Sequence, residues 1–278
     1  MSNNPLQSYF RKPAIYVRLP SGGQFYPEGA LEVTDNGEYP VLPMTTLDEI
    51  TYRTPDALFN GQAVVNVIQS CVPNIKDAWK IPGMDVDTLL IAIRIATYGH
   101  QMDVSTKCPA CNTDNDYGVD LRGLLDQIKS PDYNAAMSQN DLEIYFQPMS
   151  YRQMNDNNLV QFEEQRALQA LNDPQVTDTQ RAKALGEALT KITTITTRAL
   201  AQNIKAVKTP HALVNDPRHI VEWLGNCDRQ SFNRIRDYII DNKKVGEIPP
   251  LKLKCNNCGQ EYEQPITLDM ANFFADAS

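Results

Sequence analysis

Lys107-Cys108-Pro109-Ala110-Cys111 and Lys254-Cys255-Asn256-Asn257-Cys258 are two Cys-x-x-Cys pairs, each preceded by a lysine and each set between strand-like runs. Val104-Ser105-Thr106 enters the first pair, and Tyr117 to Leu121 leaves it. Leu251-Lys252-Leu253-Lys254 enters the second, and Tyr262 followed by Ile266-Thr267-Leu268 leaves it. Strand, knuckle, strand therefore occurs twice. A Cys-x-x-Cys turn presents two thiolates from one tight loop whose backbone N–H groups help to hold their charge, and two such turns complete a tetrahedral shell. Pro109 in the first knuckle and Gly259 after the second suit sharp turns, and Lys107 and Lys254 offset part of the negative charge of a tetrathiolate centre. The pattern designates Cys108, Cys111, Cys255 and Cys258 as metal ligands for one structural Zn2+ ion.

The spacing decides the architecture, because 143 residues lie between Cys111 and Cys255, far more than an ordinary ribbon contains. The expected fold is α+β: a small β-rich N-terminal part, a zinc-ribbon-like neck built from two distant knuckles, and a large mainly helical insertion. In residues, 1–140 would carry an N-terminal β-hairpin, a helical segment and the first knuckle. The helical insertion would be 141–248, and 249–278 would carry the second knuckle and the tail, packing with 100–125.

Other cysteine chemistries compete. Four thiolates also suit rubredoxin-like iron or an iron–sulfur cluster, so zinc against iron stays open at this stage. Catalytic zinc keeps a position free for water, which four thiolates do not. A redox pair opens a helix after a βαβ strand, and neither pair does. A zinc deaminase needs His-x-Glu and Pro-Cys-x-x-Cys, whereas Glu222 is three residues after His219 and Lys107 precedes Cys108. Cys71 and Cys227 belong to no motif and read as buried helix thiols.

Outward from the knuckles, Ala14 to Leu19 reads as a strand, Pro20-Ser21-Gly22-Gly23 as a turn, and Gln24-Phe25-Tyr26 as the return strand of a hairpin. Thr54 before Pro55 is a helix start, and Ala63, Val64, Val67, Ile68 and Cys71 follow at helical spacing as far as Pro73. A second helix fits Val86 to Tyr98, with Asp85 and Asp87 at its start favouring the dipole and capping free N–H groups. Leu142 to Phe146 alternates as a strand does. From Tyr151 to Leu200 the composition turns to Gln, Ala, Asn and Leu, and two long helices fit, Tyr151–Leu171 and Thr177–Arg198, the first with Glu163-Glu164 on a solvated face. Shorter helices fit Arg218–Leu224 and Ser231–Asn242. Phe273-Phe274 suits either an anchor into a partner or packing beneath the second knuckle.

The 278 residues are 42% apolar and 22% charged, with a net charge of −8 and a pI near 5.0. That composition supports a core and disfavours nucleic acid, whose affinity rests on Lys and Arg displacing counterions. The polar N-terminus has no signal-peptide core, and the apolar run Leu89 to Ile93 is cut by Arg94, so no membrane insertion is expected. Cysteines in a reducing compartment read as ligands or buried thiols rather than disulfides. His100, His211 and His219 lie in no nucleophile or metal motif, and Ser21-Gly22-Gly23 is no phosphate loop. No catalytic or small-cofactor residue is designated, and the chain reads as not an enzyme.

The segments Asn4-Pro5-Leu6-Gln7-Ser8-Tyr9-Phe10-Arg11-Lys12-Pro13-Ala14-Ile15-Tyr16-Val17-Arg18-Leu19-Pro20-Ser21-Gly22-Gly23, Pro43-Met44-Thr45-Thr46-Leu47-Asp48-Glu49 and Thr54-Pro55-Asp56-Ala57-Leu58-Phe59-Asn60-Gly61 resemble the baseplate-protein family of T4-like contractile-tailed bacteriophages. Members are described as baseplate hub subunits or hub-assembly factors. The resemblance implies a structural or assembly component of the virion tail baseplate, oligomeric within the assembly and binding other phage baseplate and tail proteins. It also implies assembly in the host cytoplasm. It brings no catalytic residues, and the zinc reading rests on the spacing alone. The alternative is a zinc-ribbon nucleic-acid-binding or regulatory protein, since four-cysteine knuckles are common in such proteins.

Overall fold

The structure, a computed structural model, describes residues 4–53, 60–170, 178–266 and 273–274. The chain forms two compact units: Met1–Ser130 together with Val245–Ser278, and Pro131–Lys244.

In the first unit β1 (Ile15–Arg18) runs antiparallel to β2 (Glu38–Val41), with Ile15 opposite Val41 and Arg18 opposite Glu38. Helix α1 (Thr46–Tyr52) opens with a capping box in which Thr45 Oγ1 accepts from the Asp48 N–H and the Asp48 carboxylate accepts from the Thr45 N–H. Arg11 closes over this corner, donating to Asp48, to the Pro43 carbonyl and to the Ser70 carbonyl. Burial alone would raise the Asp48 carboxyl, but hydrogen bonds from Thr45 and Ser70 and the Arg11 charge hold it below its ordinary range. Helix α2 (Gln62–Cys71) buries Ala63, Val64, Val65, Val67, Ile68 and Cys71. Helix α3 (Gly83–Tyr98) buries residues on every side, from Val86 through Leu89, Leu90, Ile91 and Ile93 to Ile95. A helix buried on every side belongs in the middle of its unit. It stops at Gly99 (φ 90°), and β3 (Gln101–Lys107), β4 (Asp114–Asp120) and the short α4 (Leu121–Leu125) follow.

Several sequence expectations change here. The partner of the first strand is β2, not Gln24-Phe25-Tyr26. Gly22, Gly23 and Phe25 all have left-handed φ (63°, 80° and 68°), which a strand does not accommodate. The segment is instead held by Asp85, whose carboxylate accepts from Ser21 N–H (2.8 Å), Ser21 Oγ (2.5 Å) and Tyr26 OH (2.9 Å). Asp85 is thus a fully buried anchor rather than a helix cap, and burial pushes its carboxyl up from 3.8 to about 6. The expected helix start at Thr54-Pro55 lies outside the described residues. Helix α1 was not in the sequence reading, although Thr45-x-x-Asp48 is its signature. Phe273 and Phe274 pack in the apolar core and not under the knuckle: Tyr52 OH donates to the Phe274 carbonyl at 3.0 Å, and the buried Arg94 donates to the Phe273 carbonyl. The Arg94 guanidinium also lies 5.1 Å from the Phe273 ring centre, so its charge is met by a carbonyl and a π face.

The second unit begins with β5 (Met137–Gln139) and β6 (Leu142–Phe146). The long helices α5 (Tyr151–Ala170) and α6 (Asp178–Gln202) follow, then β7 (Ile204–Lys208), β8 (Leu213–Val214), α7 (Pro217–Asn226) and α8 (Arg229–Val245). The strands form one antiparallel sheet in the order β5-β6-β7-β8. Its core joins Ile144, Phe146, Ile204 and Val207 of the sheet to Leu200, Ile220, Leu224 and Ile235 of the helices. The helices match the periodicity, but the sheet around β7 is new: Ile204 follows a 25-residue helix after Asn203 alone, which masks its short alternating pattern. Glu163 is exposed, and Glu164 pairs with Lys191 at 3.2 Å. Returning to the first unit, the chain makes β9 (Leu251–Lys254) and β10 (Glu261–Gln264), which takes in the expected Tyr262, while Thr267 and Leu268 lie outside the described residues. Among the described residues no helix is long and apolar enough to cross a membrane.

Candidate metal centre

Each cysteine pair sits at the tip of an antiparallel hairpin, and the two tips share one backbone plan. β3 and β4 pair from Gln101 opposite Asp120 to Lys107 opposite Asp114; β9 and β10 pair from Leu251 opposite Gln264 to Lys254 opposite Glu261. The Cys108 N–H donates to Thr113 O and the Asn112 N–H to Cys108 O; in the second tip Cys255 N–H donates to Gln260 O and Gly259 N–H to Cys255 O. Equivalent positions are 147 apart, as 107 and 254, 111 and 258, or 114 and 261 show. Each turn passes through a left-handed residue, Gly259 (φ 75°) in one and Asn112 (φ 61°) in the other. Glycine adopts this without a Cβ clash, and Asn is among the few side chains that tolerate it.

The hairpins bring all four Sγ atoms within 4.8 Å of one another. Cys108 Sγ is 3.7 Å from Cys258 Sγ, and Cys111 Sγ is 3.6 Å from Cys255 Sγ. These are not disulfides, whose sulfurs stand about 2.05 Å apart; all six cysteines are free. A tetrahedral ion with metal–sulfur bonds of about 2.3 Å needs sulfur–sulfur edges of about 3.8 Å. The arrangement meets that requirement, so the four cysteines can hold a metal ion.

The electrostatics of the thiols point the same way. The Thr113 hydroxyl, 3.3 Å from Cys111 Sγ, and the Thr113 N–H bring that thiol down to about 6. The N–H of Cys258, joined by that of Asn257, lowers Cys255. At Cys258 the Gln260 N–H acts downward, but the Cys111 sulfur, then burial, then the sulfurs of Cys108 and Cys255 outweigh it and push the thiol up to about 12. Sulfurs this close do not all ionise unaided, and a central cation removes the repulsion.

Hydrogen bonds between the hairpins surround the sulfurs. Tyr117 OH donates to the Lys254 carbonyl (2.9 Å) and lies 3.3 Å from Tyr262 OH, while Thr106 Oγ1 donates to Gln264 Oε1 (2.9 Å). Asn115, only 3% exposed, accepts from the Asn256 N–H at 2.9 Å and donates to Thr113 O and to Cys255 Sγ. Tyr117 and Tyr262 were noted in the sequence only as matching flanks of the knuckles, and Asn115 was not singled out at all. The signal was a polar Asn inside a strand next to the knuckle, where Asn is otherwise depleted. Lys107 pairs with Asp114 at 3.9 Å rather than with a sulfur.

The remaining candidates lie elsewhere. Cys71 is buried in α2, where burial first and the Asp48 charge second push its thiol up to about 12. Cys227 is only half-buried, at the C-terminal end of α7, where it donates to the Leu224 carbonyl. Among the described residues no other group of three or more His, Cys, Asp or Glu donors converges, and His100, His211 and His219 join none.

A family model described as T4 bacteriophage base plate protein matches residues 18–275. No curated protein and no solved structure matches the chain. The family match takes in both hairpins and everything between them, and on that extent the chain belongs to the T4 bacteriophage base plate protein family.

Proposed function

We propose that the protein is a structural or assembly component of the hub region of a contractile-tail baseplate, that it binds other baseplate proteins, and that a structural zinc ion in the four-cysteine centre staples its fold. The family match over residues 18–275 carries this reading. In it the chain acts as a scaffold rather than a catalyst, oligomeric within an assembly built in the host cytoplasm. Protein contact is supported by apolar side chains left open to solvent near the N-terminus, among them Tyr9, Phe10, Leu47 and Ile50. Zinc is supported by the closed tetrathiolate shell, which suits an ion that neither changes oxidation state nor needs an open position. Cys108, Cys111, Cys255 and Cys258 would hold the ion, which would join segments that are remote in the chain.

Sedimentation tests the functional half: the tagged, purified chain is mixed with tails and tail-assembly intermediates. Co-sedimentation with a defined intermediate, and cross-links to a hub protein within it, are expected. A chain that stays in the supernatant with every intermediate would sink the proposal. Elemental analysis tests the metal half, with about one zinc per chain expected, as one tetrathiolate site holds one ion.

A further inference from the structure

The side chains of Asn115 and Asn257 are exchanged between the two hairpins. Asn115 stands on β4, yet its Nδ2 donates to Cys255 Sγ of the second hairpin at 3.6 Å. Asn257 stands in the second knuckle, and its Nδ2 donates to Cys111 Sγ of the first at 3.8 Å and to Thr113 Oγ1 at 3.1 Å. The orientation of Asn115 is fixed by its other partners. The Asn256 N–H requires an oxygen acceptor, and the Thr113 carbonyl requires a nitrogen donor. Each hairpin thus lends a carboxamide N–H to a sulfur of the other, and the two sulfurs that receive them are themselves neighbours at 3.6 Å.

We infer that Asn115 and Asn257 are the positioning residues of the metal centre, setting its affinity by orienting Cys255 and Cys111 and by taking up part of their charge. This rests on the four cysteines binding a metal. A metal tetrathiolate carries excess negative charge, and an N–H dipole aimed at a sulfur stabilises that charge without competing for the ion. Because the donors are exchanged, each half of the site orients the other. Besides these amides, the two hairpins are joined at Tyr117 and Thr106. Asn256, by contrast, contributes only its backbone N–H to Asn115.

The test uses the full-length chain and three variants: Asn115→Asp, Asn257→Ala and, as a control, Asn256→Ala. Asn115→Asp keeps the acceptor for the Asn256 N–H and loses the donor to sulfur. Each reduced protein is titrated with Co2+, whose thiolate charge-transfer absorption reports the four-sulfur shell, and then with Zn2+ against a chromophoric chelator. Zinc affinity is expected to fall about tenfold in Asn257→Ala and up to about a hundredfold in Asn115→Asp. The Co2+ spectrum should retain its four-sulfur character, and Asn256→Ala should match the wild type. Wild-type affinity in both Asn115→Asp and Asn257→Ala overturns the inference while leaving the metal site standing. So does a loss of denaturant stability that is equal in metal-free and metal-loaded protein, since a merely structural side chain acts on both forms alike. Wild-type protein that binds neither Co2+ nor Zn2+ removes the metal reading itself. If Asn115→Asp does not fold, Asn257→Ala, changed at an exposed side chain, decides the question.

Discussion

The two cysteine hairpins share a turn plan and differ in what lies behind it. The first is long, with seven-residue strands, and continues through the buried Val119 and Leu121 into the apolar interior of its unit. The second has four-residue strands, and its strands bury only Leu253. The first hairpin is anchored at its base, where Val119 and the following Leu121 are buried, and burial of apolar area is non-directional and survives local change. The second is held by directional links: the sulfur cluster, the Tyr117 hydroxyl on the Lys254 carbonyl, and Thr106 on Gln264. If the cysteines hold the proposed ion, its loss should therefore fall on the second hairpin and spare most of the first.

The sharpest way to break that comparison is to change Cys255 and Cys258 together to Ser. Metal-site loss belongs among the largest single effects, above about 4 kcal/mol. Amide exchange at Leu253 and Tyr262 should lose most of its protection, while amides at Val104 and Val119 stay within about tenfold of wild type. Equal loss in both hairpins would mean that the first depends on the metal as much as the second.

Leu121→Ala probes the other side. Truncating a fully buried leucine costs about 2–5 kcal/mol through lost burial and the cavity left behind. Chemical denaturation should place it near the top of that range, with Leu253→Ala near the bottom. The reverse order would show the second hairpin to be the better packed.

A pH series separates both hairpins from the Ser21 loop. Metal affinity rises with pH because the ligands must be thiolates. Asp85 runs the other way: with its carboxyl held near 6 against an ordinary 3.8, the folded state binds the extra proton. Its contribution is fully present below about pH 4 and is lost as pH rises towards 6, amounting to at most about 3 kcal/mol. In metal-free protein, the stability of Asp85→Asn relative to wild type should therefore improve between pH 4 and 6. A constant difference would show that burial does not raise Asp85.

The smallest expected effect is Tyr117→Phe, about 1 kcal/mol for one hydroxyl hydrogen bond. It should appear as faster exchange in the second hairpin with no change in metal stoichiometry. No change in exchange would leave the sulfurs, the asparagines and Thr106 as the link.

The long helices of the second unit were legible because between Tyr151 and Leu200 the composition turns to Gln, Ala, Asn and Leu, with a single Gly and a single Pro. The strand β7 was not, because five residues after a long helix are too few to establish a period of two. In the first unit Pro20-Ser21-Gly22-Gly23 carried a correct turn signal and a wrong partner: the glycines show that the chain reverses and not which strand it then meets. Asp85 looked like an N-terminal carboxylate on a helix, and its partners Ser21 and Tyr26 are about sixty residues away.

By itself the sequence determined which sulfurs belong together, since two Cys-x-x-Cys turns supply the four ligands that a tetrahedral shell takes, and it marked where the long helices run. Only the tertiary structure decided that Cys108 faces Cys258 and Cys111 faces Cys255, that β2 closes on β1, that Asn115 and Asn257 cross between hairpins, and that Phe274 ends in the core. Turn chemistry and periodicity act over a handful of residues and are written locally. Pairing across more than a hundred residues leaves no local mark, because the entropy of closing such a loop grows only with the logarithm of its length and the choice falls to packing.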